Sequence, residues 1–205
     1  MQKISGIVSV ILHPVFIIVY IFGVAVTIDP YIRFVMPIDR VRPMILILMI
    51  NTVLLPIAAI LYIKYKGIVK SIYLSSVGER RTGIIIIFAF YIITYILWRQ
   101  LTLPHSFLSI FSAVLLSLII VYIIAPRFNI SMHTLAIGGL IGTMLGLFKV
   151  HAFIDLYALT GAMLLFGLSA TARLLLHAHT AREINWGAFV GVLLFYLFVG
   201  NNYYF

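Results

Sequence analysis

The chain has 205 residues, 64% of them hydrophobic and 9% charged, with mean hydropathy +1.20 and a formal net charge of +9. A soluble domain of this size has no use for so much apolar surface, so lipid must solvate most of it. The runs are continuously apolar, which argues against a transmembrane β-barrel. With no cysteine, disulfides and thiolate chemistry are excluded. The basic residues are scattered between apolar runs, which argues for membrane lipids or an anionic substrate as partner and against nucleic acid.

Ile4–Val26 is the first predicted span, with His13-Pro14 inside it. The proline predicts a kink, and His13 reads as a packed histidine rather than a ligand. Asp29–Arg42 is a polar connection, and Pro43–Ile63 is the second span, carrying Asn51, Thr52 and Pro56. Tyr65–Gly83 is the longest polar connection. It ends in Gly78-Glu79-Arg80-Arg81, the densest charge cluster in the chain. Arg80 and Arg81 read either as headgroup anchors or as a phosphate clamp, since paired guanidinium forks match phosphate oxygens.

Ile84–Leu97 is the third span, closed by Trp98-Arg99, and Ser106–Ile124 is the fourth. The segment 126–133, PRFNISMH, then leads into a short helix over Thr134–Phe148. Its glycines at 138, 139, 142 and 146 predict close packing inside the bundle. Ser131 is placed to cap that helix, whose free N–H groups favour anions. Lys149–Asp155 is a short connection, Leu156–Ala172 and Trp186–Gly200 are the last spans, and Tyr203-Tyr204-Phe205 reads as an aromatic belt. The expectation is an all-α fold, a polytopic transmembrane helical bundle of six or seven spans forming one integral membrane domain over 1–205.

With seven spans, the segments 64–83, 127–133 and 173–185 fall on one face of the membrane. The last is the most informative, because ATARLLLHAHTAREINWG gathers Arg173, His177, His179 and Glu183 at one boundary. If His179 opens the final helix, Glu183 lies one turn along on the same face, where its carboxylate holds one imidazole nitrogen and leaves the other free. A histidine nucleophile or base is prepared in this way. Other readings of these residues are a solvated interhelical turn and a zinc site at His177, His179 and Glu183. A serine-protease reading of Gly167-Leu-Ser169-Ala170 suffers because its histidines would follow on the same helix end.

These residues resemble the type 2 phosphatidic acid phosphatase superfamily of membrane lipid phosphatases, most of all a divergent, compact bacterial branch. The family's Ser-Arg–five residues–His–three residues–Asp element is matched in spacing by Ala172-Arg173, His179 and Glu183. Its Pro-Ser-Gly-His element is matched by Ile130-Ser131-Met132-His133. Its Lys–six residues–Arg-Pro element is matched only at Arg80-Arg81-Thr82, with Tyr73 and Leu74 where the lysine would fall. His13-Pro14, Thr52 through Pro56 and Gly138-Gly139 are also similar to that branch.

The resemblance implies hydrolysis of a lipid phosphomonoester or diphosphate, without metal or cofactor, in a bacterial inner (cell) membrane. His179 would attack phosphorus, Glu183 would orient it, and His133 would protonate the leaving group. Arg173, Arg81 and Ser131 would hold the phosphoryl oxygens, with Arg80 or Lys70 standing in for the missing lysine. Met132 brings bulk where the family has glycine, and Glu183 adds a methylene to the family's aspartate. A catalytically degenerate relative, acting as a lipid-phosphate binder or scaffold, is the alternative. Arginines recruited to bind phosphate do not report topology, so the positive-inside rule gives no orientation here.

Overall fold

Prolines and small polar caps decide where the helices begin. The computed structural model describes residues 2–71, 74 and 76–205. In it α1 (Gln2–Ile11) and α2 (Pro14–Ile28) are bent by 53° at the Leu12-His13 break. Pro14 takes the first helical position of α2, and Nδ1 of His13 accepts the N–H of Val15 at 3.3 Å. The kink expected within Ile4–Val26 is thus a full break. Asp29 caps α3 (Pro30–Val35), and α4 (Ile38–Met49) follows directly, so most of the expected polar connection over 29–42 is helical.

α4 passes through a π-helical turn at Ile50–Leu54 into α5 (Leu55–Tyr65), giving one 28-residue span. Pro56 lies inside this continuous span and removes one helical N–H, and the Tyr91 hydroxyl donates to the carbonyl of Thr52, four residues before it, at 3.3 Å. Helix α6 runs Val77–Arg99, starting well before the expected Ile84. Ser76 and Glu79 form a reciprocal capping box, Glu79 N–H to Ser76 Oγ at 3.2 Å and Ser76 N–H to the Glu79 carboxylate at 3.3 Å. Hydropathy marks only the apolar part of such a helix, whereas the cap sets its start. Arg80 and Arg81 therefore stand on the first turns of α6 and not in a loop. The remaining helices are α7 (His105–Ile124), α8 (Met132–His151), α9 (Leu156–Leu175) and α10 (Ala181–Gly200).

Among the described residues six helical segments are long and apolar enough to cross a membrane, or seven when the bent α1–α2 pair counts as one span. The protein is an all-α, multi-pass membrane helical bundle. α7 and α8 form its interior, each with 67% of its span buried, whereas α9 has 17% and lies on the periphery. Phe22, Trp98, Phe107 and Phe111 pack as an edge-to-face aromatic nest between α2, α6 and α7.

Glycine makes the tightest contact in the bundle. α8 and α10 run parallel with their starts together, and each presents glycine to the other. A Cβ on Gly138 would sit 2.5 Å from the Ala188 carbonyl oxygen, and one on Gly187 2.5 Å from Thr134 Oγ1. Gly142 and Gly191 meet the partner backbone at Val192 and Leu135 in the same way. With no side chain between them, the two backbones approach closely enough for Thr134 Oγ1 to donate to the Ile184 carbonyl at 2.9 Å. The N–H of Ser131 likewise donates to the Glu183 carbonyl at 3.2 Å.

Polar ties close both ends of the bundle. At one end Arg80 reaches Asn129, and His13 stacks edge-on to His133 with ring centres 5.4 Å apart. At the other, Nδ1 of His151 lies 2.6 Å from the buried Asp29 carboxylate, and Lys149 Nζ donates to Asn201 at 2.8 Å. The segments before α6, before α8 and before α10 therefore share one face.

Candidate functional site

Thr180 is the N-cap of α10, accepting the Glu183 N–H at 3.3 Å, while the Glu183 carboxylate accepts the Thr180 N–H at 2.8 Å. His179 is the residue just before this cap rather than the first of the helix. Its Nδ1 lies 3.4 Å from Glu183 Oε2 and 3.1 Å from the main-chain carbonyl of Asn129. Both neighbours are acceptors, so the proton belongs on Nδ1 and the lone pair on Nε2. Among the described residues Nε2 makes no hydrogen bond. Glutamate at this position does two tasks, closing a capping box that favours Glu or Gln and flanking the imidazole.

Asn129 is the residue that sequence reasoning missed. Its side-chain oxygen accepts from the guanidinium of Arg80 and its main-chain oxygen accepts from His179. One short segment ahead of α8 therefore joins the start of α6 to the start of α10. Arg81, the next residue on α6, lays its guanidinium 4.2 Å above the Tyr122 ring. Lys70 is exposed and ties its main-chain N–H to Glu79 at 2.7 Å. Of the two positions where the family's lysine would fall, Tyr73 lies outside the described residues and Leu74 offers no charge.

Arg173 stands in the last turn of α9, not in the connection expected over 173–185. Its charge acts electrostatically on His13, His133 and His179. The buried Nε atoms of Arg81 and Arg173 find no hydrogen-bond partner among the described residues, and neither does Oγ of Ser9. Buried donors of this kind are costly when left unmatched, and an anion with several acceptor oxygens matches them.

His133 opens α8 and is nearly fully buried, with Nε2 3.1 Å from the carbonyl oxygen of Ser9 on α1. That nitrogen carries the proton and donates to α1. Ser131 is completely buried, and its hydroxyl caps α8 by accepting the Thr134 N–H at 3.5 Å. Met132 beside it is only half-buried. His177 is exposed at φ 50°, and no group of three or more His, Asp or Glu able to hold a metal occurs among the described residues.

Burial holds the His179 imidazole below the usual histidine range, and the Arg173 guanidinium pushes the same way; Glu183 and the Asn129 carbonyl oppose them. The net result is a neutral ring at neutral pH, with its Nε2 lone pair available and a guanidinium nearby. The arrangement brings together His179, Glu183, Arg173 and His133, with Arg80 linked through Asn129. No family model matches this chain, and neither a curated protein nor a solved structure matches it.

Proposed function

We propose that the protein is a membrane-embedded hydrolase of a lipid phosphomonoester or diphosphate, working through a phosphohistidine in a bacterial cell membrane. One observation carries the reading. His179 is held from the Nδ1 side by a carbonyl and a carboxylate, leaving a neutral Nε2 that no described residue bonds, within the field of the Arg173 guanidinium.

Nε2 attacks phosphorus, forming the P–N bond as the P–O bond to the lipid breaks. His133 enters this step as the imidazolium and gives one ring proton to the leaving alkoxide, becoming neutral. Water then attacks the phosphohistidine and gives a proton back to His133, the P–N bond breaks, orthophosphate leaves and the His179 imidazole regains its lone pair. Arg173 and Arg81 balance charge on the equatorial oxygens, which is most of what such a reaction asks of a protein. This route draws on no metal. The experiment is phosphate release by purified protein from a panel of lipid phosphates with EDTA present, comparing wild type with His179→Ala. Release that survives EDTA and vanishes in the variant supports the proposal.

A specific observation favours a second reading. The Nε2 proton of His133 is committed to Ser9, and Ser131 is wholly buried in its capping role. A site so arranged binds a lipid phosphate without turning it over. Silence of wild type and variant alike, with lipid phosphate still bound, selects that reading.

A further inference from the structure

His133, the proton donor of the proposed reaction, is gripped from α1, which lies outside the three motif elements. α1 stops at Ile11, and the N–H of His13, which a continuing helix would give to Ser9, goes to the Val10 carbonyl at 3.2 Å instead. The Ser9 carbonyl is thus left without a helical partner, as the last carbonyls of a helix are. It accepts from Nε2 of His133 at 3.1 Å. His13, one turn beyond Ser9, sets its ring against the same imidazole, with the planes at 82° and the centres 5.4 Å apart. His13 is exposed, so it fills no core space, and His133 is the only ring it meets among the described residues. With Nε2 engaged, Nδ1 is the remaining nitrogen of His133, and among the described residues it makes no hydrogen bond.

We propose that His13 and the Ser9 carbonyl are positioning groups for His133, fixing its ring so that Nδ1 faces the phosphate ester and delivers the proton. The assignment rests on the lipid-phosphate reading of the site given above. In the proton step the Nδ1–H bond breaks, its electron pair stays on nitrogen, and an O–H bond forms on the leaving alkoxide. Nδ1 then takes a proton back from the attacking water, while the Nε2–H to Ser9 is kept throughout. The bond that ties Nε2 to α1 therefore orients the acid and leaves its working nitrogen free. Loss of such orientation lowers the rate without removing the acid. His13 also caps α2, accepting the Val15 N–H through Nδ1. His13→Asn keeps a good N-cap and removes the imidazole, so it separates the two roles.

The test uses the full chain in detergent with 15N-labelled histidine, the His133 signals being assigned with His133→Gln. At a pH where the ring is neutral, a single tautomer protonated on Nε2 is expected. Inorganic phosphate should move the Nδ1 signal and leave Nε2 in place. His13→Asn should unfold at the wild-type midpoint yet let the two tautomers mix. On hexadecyl phosphate it should lower kcat about tenfold with little change in KM, a part of the ~10²–10⁴-fold that a positioned acid supplies. On p-nitrophenyl phosphate, whose phenolate leaves without a proton, it should match wild type. Three results would overturn the proposal. A neutral His133 protonated on Nδ1 reverses the assignment of its nitrogens. An unchanged tautomer in His13→Asn, or an equal loss of kcat on both substrates, gives His13 a structural role only. A phosphate titration that leaves Nδ1 unmoved marks His133 as the cap of α1 and nothing more. Silence on both substrates sinks the hydrolase reading alone, because the tautomer and the phosphate titration decide the assignment without turnover; hydrolysis with Nδ1 unmoved does the reverse.

Discussion

The main-chain carbonyl of Asn129 accepts the Nδ1 proton of His179 at 3.1 Å, while the Asn129 side chain accepts from Arg80. One residue thereby sets the imidazole tautomer and anchors a guanidinium from a different helix. Asn129→Ala keeps the carbonyl and removes the side-chain acceptor, so its effect should match that of Arg80→Ala. In a double-mutant cycle on unfolding in detergent, the pair should couple by about 1 kcal/mol. Additive losses would show that Arg80 and Asn129 act independently.

Glu183 serves the start of α10 and the imidazole together, and two variants separate these roles. Glu183→Gln keeps a capping-box residue and removes the charge, so thermal stability should hold while turnover falls. Glu183→Ala removes both and should cost about 1 kcal/mol of stability as well. Equal stability in the two variants would mean that the capping box contributes little.

The titration of His179 has a defined sign. Its folded value lies below the ordinary histidine value of about 6.5. The folded state thus sheds its proton before the unfolded chain does. Folding stability rises with pH between the folded value and 6.5, and the whole penalty is present below the folded value. The acidic limb of activity should accordingly fall below 6.5. Imidazole NMR titration should move it lower in Glu183→Gln, which loses a stabilising anion, and higher in Arg173→Gln, which loses a repelling cation. An Arg173→Gln midpoint that does not rise would remove Arg173 from the neighbourhood of His179.

Much of this was legible in the residues themselves. The apolar runs announce the spans, and Arg173, His179 and Glu183 declare themselves by their spacing and because ionisable side chains are expensive at membrane depth. Asn129 was hidden because the atom that holds His179 is a main-chain oxygen, which every residue carries. The early start of α6 was hidden because Ser76 sets it by capping, which hydropathy does not register, whereas the start of α10 at Ala181 falls two residues after the His179 at which the sequence reading opens the final helix. The full break at His13 needed the observation that its side chain, not only Pro14, caps α2.

The glycines divide sharply by what faces them. Gly142→Ala and Gly191→Ala would drive a methyl into the backbone of the partner helix, forcing α8 and α10 apart at about 1–3 kcal/mol each. The separation should also reduce turnover, because Ser131 and Glu183 are joined across the same interface. Gly161→Ala meets open space and should leave stability equal or better, given the helix propensity of alanine. Unfolding midpoints in detergent check both expectations, and equal tolerance at all three sites would refute close packing of α8 on α10.

Asp29 and His151 tie the end of α2 to the end of α8 on the face opposite the site, at 2.6 Å and with both side chains largely buried. The same carboxylate caps α3, accepting the Ile32 N–H at 3.0 Å. Asp29→Ala strips the imidazole of its partner and α3 of its cap, so a loss of about 3 kcal/mol is expected. His151→Ala keeps the cap of α3 but leaves the buried Asp29 carboxylate without its partner, so its cost should be comparable. Neither residue touches the His179 cluster, so kcat at a temperature where the variants remain folded should match wild type. A fall in kcat without a fall in stability would instead show that the two ends of α8 are coupled, since α8 carries His133 at its first turn and His151 at its last.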